Sequence, residues 1–163
     1  MKRVLITGMS GTGKSATIRE LAARGCTAYD LDTPEWSHWV DAAPADTLTP
    51  GDGKDWVWQV DKVRMLLSEP RESMLFISGC AENMEELFPL IDTVVLLSVP
   101  IDKIMQRVTT RTSGGYGRVE EERRKIAELT ELIEPLLRQS ADYEIDSSGP
   151  VEATVDRILL LAS

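Results

Sequence analysis

The chain has 163 residues, enough to bury a substantial core, and its 42% hydrophobic and 28% charged content is that of a soluble globular protein. A formal net charge of −9 argues against nucleic acid as a main partner, because phosphate backbones select basic surfaces. No apolar run approaches the roughly 18 residues of a membrane span, and Lys2-Arg3 stands too close to Gly8 to open a signal peptide. Cys26 and Cys80 make no disulfide framework and read as reduced thiols, which points to the cytoplasm.

In chain order, Lys2–Thr7 reads as a buried strand, and Gly8-Met9-Ser10-Gly11-Thr12-Gly13-Lys14-Ser15 follows at once. That octapeptide fits G-x-x-x-x-G-K-[ST], the Walker A or phosphate-binding loop (P-loop). Its glycines let backbone N–H groups close on phosphate oxygens, and the helix that begins near Lys14 points its positive end at the same anion. Lys14 then reaches the β- and γ-phosphates and the Ser15 hydroxyl ligates Mg²⁺. The helix runs to about Arg24 and stops at Gly25, and Cys26–Asp30 is a short second strand.

From Thr33 to Asp52 prolines and glycines punctuate a weaker pattern, with a short helix over Pro34–Val40. A second helix is expected over Lys54–Glu69, where Trp56, Val60, Val63 and Leu67 share a face. Met74–Ser78 is a third strand, followed by a helix near Glu82–Phe88, and Thr93–Val99 is a fourth. Pro100 opens a helix carrying Ile101, Ile104, Met105 and Val108. A glycine-rich stretch at 112–117 leads to a long helix over Val119–Gln139, then a strand at Tyr143–Asp146 and a closing helix at Val151–Ala162. Strands alternating with helices, several apolar throughout, predict one α/β domain over 1–163 with a parallel sheet covered on both faces.

These landmarks resemble the small P-loop kinases (shikimate, gluconate and adenylate kinases), most of all the shikimate-kinase-like ATP-binding proteins. The likeness is strongest over 2–32 and 92–157 and weakest over 33–70. It implies a P-loop NTPase fold with a five-stranded parallel sheet in order 2-3-1-4-5, an acceptor-binding segment at 33–70 and a lid at 112–118. It also implies ATP and Mg²⁺ as cofactors, with nucleotide contacts from Gly8 through Ala16.

Asp30-Leu31-Asp32 resembles the D-x-D that follows the second strand of shikimate kinase, which implies Asp30 near the metal and Asp32 near the attacking hydroxyl. Independently, the apolar strands ending Phe76-Ile77-Ser78 and Leu96-Leu97-Ser98 carry no terminal carboxylate for Mg²⁺. Asp30 or Asp32 is the best available, the competing reading being two turn-capping aspartates. Arg107 and Arg111 lie four apart on one helix face, and Arg118 follows a glycine-rich tip. The resemblance implies Arg107 against the adenine, and Arg111 and Arg118 on the phosphates, jobs that suit a flat, forked guanidinium. Pro150, after the last strand, resembles the proline that closes over the base; ordinary loop punctuation is the alternative.

The acceptor region departs from the family. Ser78-Gly79-Cys80-Ala81-Glu82-Asn83 replaces the glycine-rich stretch that binds shikimate, and Arg64 is the only plausible helix-borne arginine for an anionic acceptor. All four tryptophans, Trp36, Trp39, Trp56 and Trp58, fall in this region. Between Asp30 and Asp61 stand eight carboxylates, Asp30, Asp32, Glu35, Asp41, Asp46, Asp52, Asp55 and Asp61, against one lysine, Lys54. His38 reads as structural or exposed. The sequence thus predicts an ATP-dependent phosphotransferase acting on a small-molecule hydroxyl, with an uncharged or cationic acceptor and Lys14, Asp32, Arg111 and Arg118 as the catalytic set. No N-K-x-D guanine-reading motif is present. The alternative is a nucleotide-binding regulator or slow ATPase without an acceptor, and monomer or dimer is left open.

Overall fold

The computed structural model describes residues 2–9, 11–41, 54–70, 72–109 and 120–162, and for 108–109 and 121–123 the backbone only. Strand β1 (Arg3–Thr7) leads into helix α1 (Lys14–Ala23) and strand β2 (Thr27–Asp30). Strands β3 (Ser37–Asp41) and β4 (Lys54–Trp58) form an antiparallel pair before helix α2 (Val60–Ser68). Strand β5 (Leu75–Ser78), a 3₁₀ segment (Met84–Leu90), strand β6 (Thr93–Ser98) and helix α3 (Ile101–Thr109) follow. Helix α4 (Glu120–Ser140), strand β7 (Tyr143–Asp146) and helix α5 (Val151–Ala162) complete the order.

The main sheet runs β2-β5-β1-β6-β7 with every pairing parallel. With the β3–β4 pair set aside, this is the expected 2-3-1-4-5 order. Side-chain alternation along the strands fills two layers. Leu5, Leu75, Ile77, Val94 and Leu96 pack beneath α2, the 3₁₀ segment and α4. Val4, Ile6, Phe76, Val95, Leu97 and Ile145 pack against α1 and α5. A sheet buried on both faces needs near-continuous apolar strands, and β1, β5 and β6 supply them. Among the described residues, no helix is long and apolar enough to cross a membrane.

Two expected helices are strands. The Pro34–Val40 helix is replaced by β3, and the first five residues of the Lys54–Glu69 helix form β4, with α2 starting at Val60. Tryptophan and valine favour the half-buried pleat, and the cross-strand pair Trp39–Trp56, with ring centroids 5.1 Å apart, holds the register. Trp56 therefore leaves the helical stripe, while Val63 and Leu67 stay buried on α2. The Asn83 amide continues the ladder beyond the hairpin edge. Its Oδ1 accepts from the Trp58 N–H at 3.2 Å and its Nδ2 donates to the Trp58 carbonyl at 2.9 Å. This satisfies both strand groups and ties the hairpin to the segment after β5. Gly79 sits under the Trp58 indole, where a Cβ would meet Nε1 at 2.9 Å.

Candidate active site

The first link is local. Gly13, at φ 94°, holds the left-handed conformation that turns the loop into α1, and it offers no side chain to the helix's first N–H groups. Those donors point where an anion would sit. Gly8 is required by space, because a Cβ there would meet the Leu97 carbonyl oxygen at 2.6 Å and Thr12 Oγ1 at 2.7 Å. Thr12 is fully buried and its hydroxyl donates to the Met9 carbonyl at 2.8 Å, closing the loop on itself. Lys14 Nζ donates to the carbonyls of Gly8 (2.7 Å) and Met9 (3.0 Å), so its charge is held inside the loop curve. Ala16 lies one residue beyond Ser15 in the first turn of α1, and Ser10 lies outside the described residues.

The sheet then brings in the acidic side. Parallel pairing of β2 with β5 sets Asp30 opposite Ser78 at the carboxyl ends of the strands, where α/β sheets form their crevice. Ser15 Oγ donates to Asp30 Oδ2 at 2.6 Å, while the Asp32 N–H (3.0 Å) and Ser78 Oγ (3.4 Å) reach Asp30 Oδ1. Asp30 therefore both caps its own turn and meets the P-loop serine. A serine hydroxyl beside one carboxylate is a hard-oxygen donor pair that fits Mg²⁺, which takes one or two protein oxygens and completes its shell with phosphates and water. Among the described residues no group of three or more His, Cys, Asp or Glu converges as an all-protein metal cage.

Asp32 is exposed two residues beyond Asp30, past the carboxyl end of β2. Partial desolvation pushes its carboxyl above the usual range; Lys14 opposes the rise and Asp30 adds to it. Burial likewise pushes the Cys80 thiol up, against the pull of Lys14 and with added repulsion from Asp32 and Asp55. Cys80 is thus a neutral thiol among the charged groups of the same crevice.

On the far side, Arg107 reaches back from α3. Its Nη1 donates to the Gly11 carbonyl at 3.0 Å and its Nη2 to the Ser147 carbonyl at 2.7 Å. Pro150 is exposed just before α5. Arg111, Arg118 and the expected lid at 112–118 lie outside the described residues.

The acceptor candidates divide. Arg64 is exposed and pairs with Asp61 at 3.6 Å on the outer side of α2. Trp58 is 1% exposed and Trp36 9%, both in the core, and Trp36 packs against Tyr29 with Lys62 above its ring. Trp39, at 52% exposure, is the most open of the four tryptophans. His38 is exposed on β3. Asp41 pairs with Lys54 at 3.2 Å, and Asp46 and Asp52 lie outside the described residues. Asp55 is buried at 2% exposure, which its place among eight carboxylates does not suggest; on β4 it shares a face with Val57, which is also buried. Ser147, inside the 146–150 stretch that reads either as a base-cupping loop by resemblance or as loop punctuation, carries no signal of its own in the sequence.

A glycine-rich Walker A loop at the end of the central strand of a five-stranded parallel sheet, in this strand order, is a P-loop fold. Solved structures agree. A shikimate kinase from Acinetobacter baumannii in complex with shikimate is similar at 22% identity, over 99% of this chain and 92% of that one, with a TM-score of 0.65. The shikimate kinase of Aquifex aeolicus is similar at 17% identity, 97% and 94% coverage and a TM-score of 0.62. That of Bacteroides thetaiotaomicron is similar at 18% identity, 98% and 97% coverage and a TM-score of 0.55. No family model and no curated protein sequence matches the chain. The likeness is one of fold.

Proposed function

We propose that this protein is an ATP-dependent kinase that transfers the γ-phosphoryl group to a hydroxyl of a small molecule. The observation that carries the reading is the meeting of Lys14, the Ser15–Asp30 pair and the desolvated Asp32 at one end of the sheet. Gly8 to Ala16 cradle the triphosphate, with Lys14 exchanging the Gly8 and Met9 carbonyls for phosphate oxygens. Ser15 and Asp30 hold Mg²⁺, which when bound neutralises charge on the phosphates. Arg107 and Pro150 flank the base, and Arg111 and Arg118 carry charge developing on the transferred group. Asp32 accepts a hydrogen bond from the acceptor hydroxyl and takes its proton as the new O–P bond forms and ADP leaves. The likeness in fold to structures described as shikimate kinases supports the same reading.

The metal assignment has its own expected result. Asp30→Asn should raise the Mg²⁺ concentration needed for half-maximal turnover at least several-fold and weaken metal-free ATP binding much less. An unchanged Mg²⁺ titration removes Asp30 from the metal site.

The acceptor is expected to be uncharged or cationic. Asp32 and the buried Asp55 both bear on Cys80, and the helix-borne Arg64 is already engaged outside the crevice. At an effective dielectric near 20, one like charge a few ångströms away costs on the order of several kcal/mol before screening. Even about 1.4 kcal/mol of that is tenfold in affinity. ADP release should therefore be stimulated more by nucleosides, sugars, polyols or amino alcohols than by their phosphorylated or acid counterparts. Consistently higher kcat/KM for the anionic members would sink the charge argument. Turnover that no acceptor stimulates would favour the slow ATPase.

A further inference from the structure

Ser147 occupies a position the reaction above does not use. It is 5% exposed, directly after β7, and its N–H donates to the Ser98 carbonyl at 2.9 Å, anchoring it to the neighbouring strand. Its hydroxyl donates to the Thr12 carbonyl at 2.6 Å, a contact across 135 residues into the middle of the P-loop. Its own carbonyl accepts from Arg107 Nη2 at 2.7 Å, and Arg107 Nη1 returns to Gly11, the residue next to Thr12. The three bonds close a ring through the P-loop, the end of β7 and helix α3.

We infer that Ser147 is a positioning residue that fixes the distance and angle between the base-binding and phosphate-binding halves of the nucleotide site. The inference rests on the nucleotide reading above and deepens it. A nucleoside triphosphate spans both halves, and it gains from engaging them together only if their separation is already set. Two flexible loops would have to be ordered at the moment of binding. Here the order is built in by a buried serine hydroxyl that meets the P-loop directly, while Arg107 bridges the same two segments through the carbonyls of Gly11 and Ser147. Arg107, with both terminal nitrogens on fixed carbonyls, is held as a flat platform beside Gly13, its Nη1 3.8 Å from where a Cβ of that glycine would lie. The consequence is specific: losing the Ser147 hydroxyl leaves only Arg107 to hold the two halves together, which loosens them and costs a ligand that bridges them more than a ligand that fills only one.

Calorimetry with Mg²⁺–ATP and with Mg²⁺–tripolyphosphate, which lacks the nucleoside, reads this directly. For Ser147→Ala, ATP affinity should fall about tenfold, the ordinary effect of one buried hydrogen bond. Tripolyphosphate affinity should change less than about twofold. Ser147→Thr, which keeps the hydroxyl, should restore most of the ATP affinity, whereas a merely space-filling role would be met by alanine as well. Equal losses for the two ligands, or no loss for either, overturn the inference and leave the kinase reading standing. Wild-type protein that binds neither ligand overturns both.

Discussion

Lys14→Ala is expected to lower kcat/KM for ATP by about 10³-fold, the scale on which a single charged group on the transferring phosphoryl acts. In the folded protein Lys14 Nζ is held by the carbonyls of Gly8 and Met9, at 2.7 and 3.0 Å. These are charge-assisted bonds to an ammonium already placed inside the loop curve, so phosphate recruits it by exchanging partners rather than by ordering a free side chain. Deleting it removes attraction to the nucleotide and, more severely, to the transition state, where charge concentrates on the transferring oxygens. Calorimetry on the wild type supplies the companion observation. ATP should bind far more tightly than adenosine, and equal affinities would defeat the phosphate-loop reading. The melting temperature of the variant without ligand should move little, because Lys14 is only partly buried and takes no part in the two core layers. A large fall in melting temperature together with lost activity would point to a folding role instead.

How legible this was depends on where each signal resides. The P-loop, the main-sheet strands and the closing helix were readable because local pattern and tertiary role coincide there. Apolar runs buried on both faces have no alternative fate, and a glycine-lysine-serine loop between strand and helix is specific in a few residues. The two strands β3 and β4 were not legible locally, because Trp56, Val60, Val63 and Leu67 satisfy a helical period while Trp56 and Trp58 also satisfy a strand. The choice was made by pairing with Ser37–Asp41 and by Asn83, partners distant in sequence. Ser147 illustrates the same limit at the site. Its partner Thr12 stands 135 residues away, so nothing in its neighbourhood distinguishes it from a turn serine. Asp30 lay between these cases. As a residue at a strand end it invited the metal reading, but its meeting with Ser15 at 2.6 Å depends on β2 lying beside β5.

Asp32→Asn should abolish most of the turnover and at the same time raise stability at neutral pH. In its proposed role as the base that takes the acceptor's proton, Asp32 is expected to contribute on the order of 10²–10⁴ in kcat. Asparagine keeps the size and one oxygen but cannot take that proton. The stability effect has the opposite sign because desolvation raises the Asp32 carboxyl above its unfolded value of 3.8, with Asp30 adding to the rise. The neutral form is therefore the one the fold prefers. Its contribution to stability is fully present below the unfolded pKa and is lost as pH rises through the higher folded value. At pH 7 the wild type carries the charge at a cost that the amide does not incur, so the variant should melt higher at pH 7, with the difference shrinking toward acid. The same shift predicts that wild-type kcat/KM, which reports the free enzyme, falls as pH drops through a value above the ordinary carboxylate range. This acid limb should vanish from any residual activity of the variant. A variant that melts lower at pH 7, or that keeps full turnover, would remove Asp32 from the role of desolvated catalytic base.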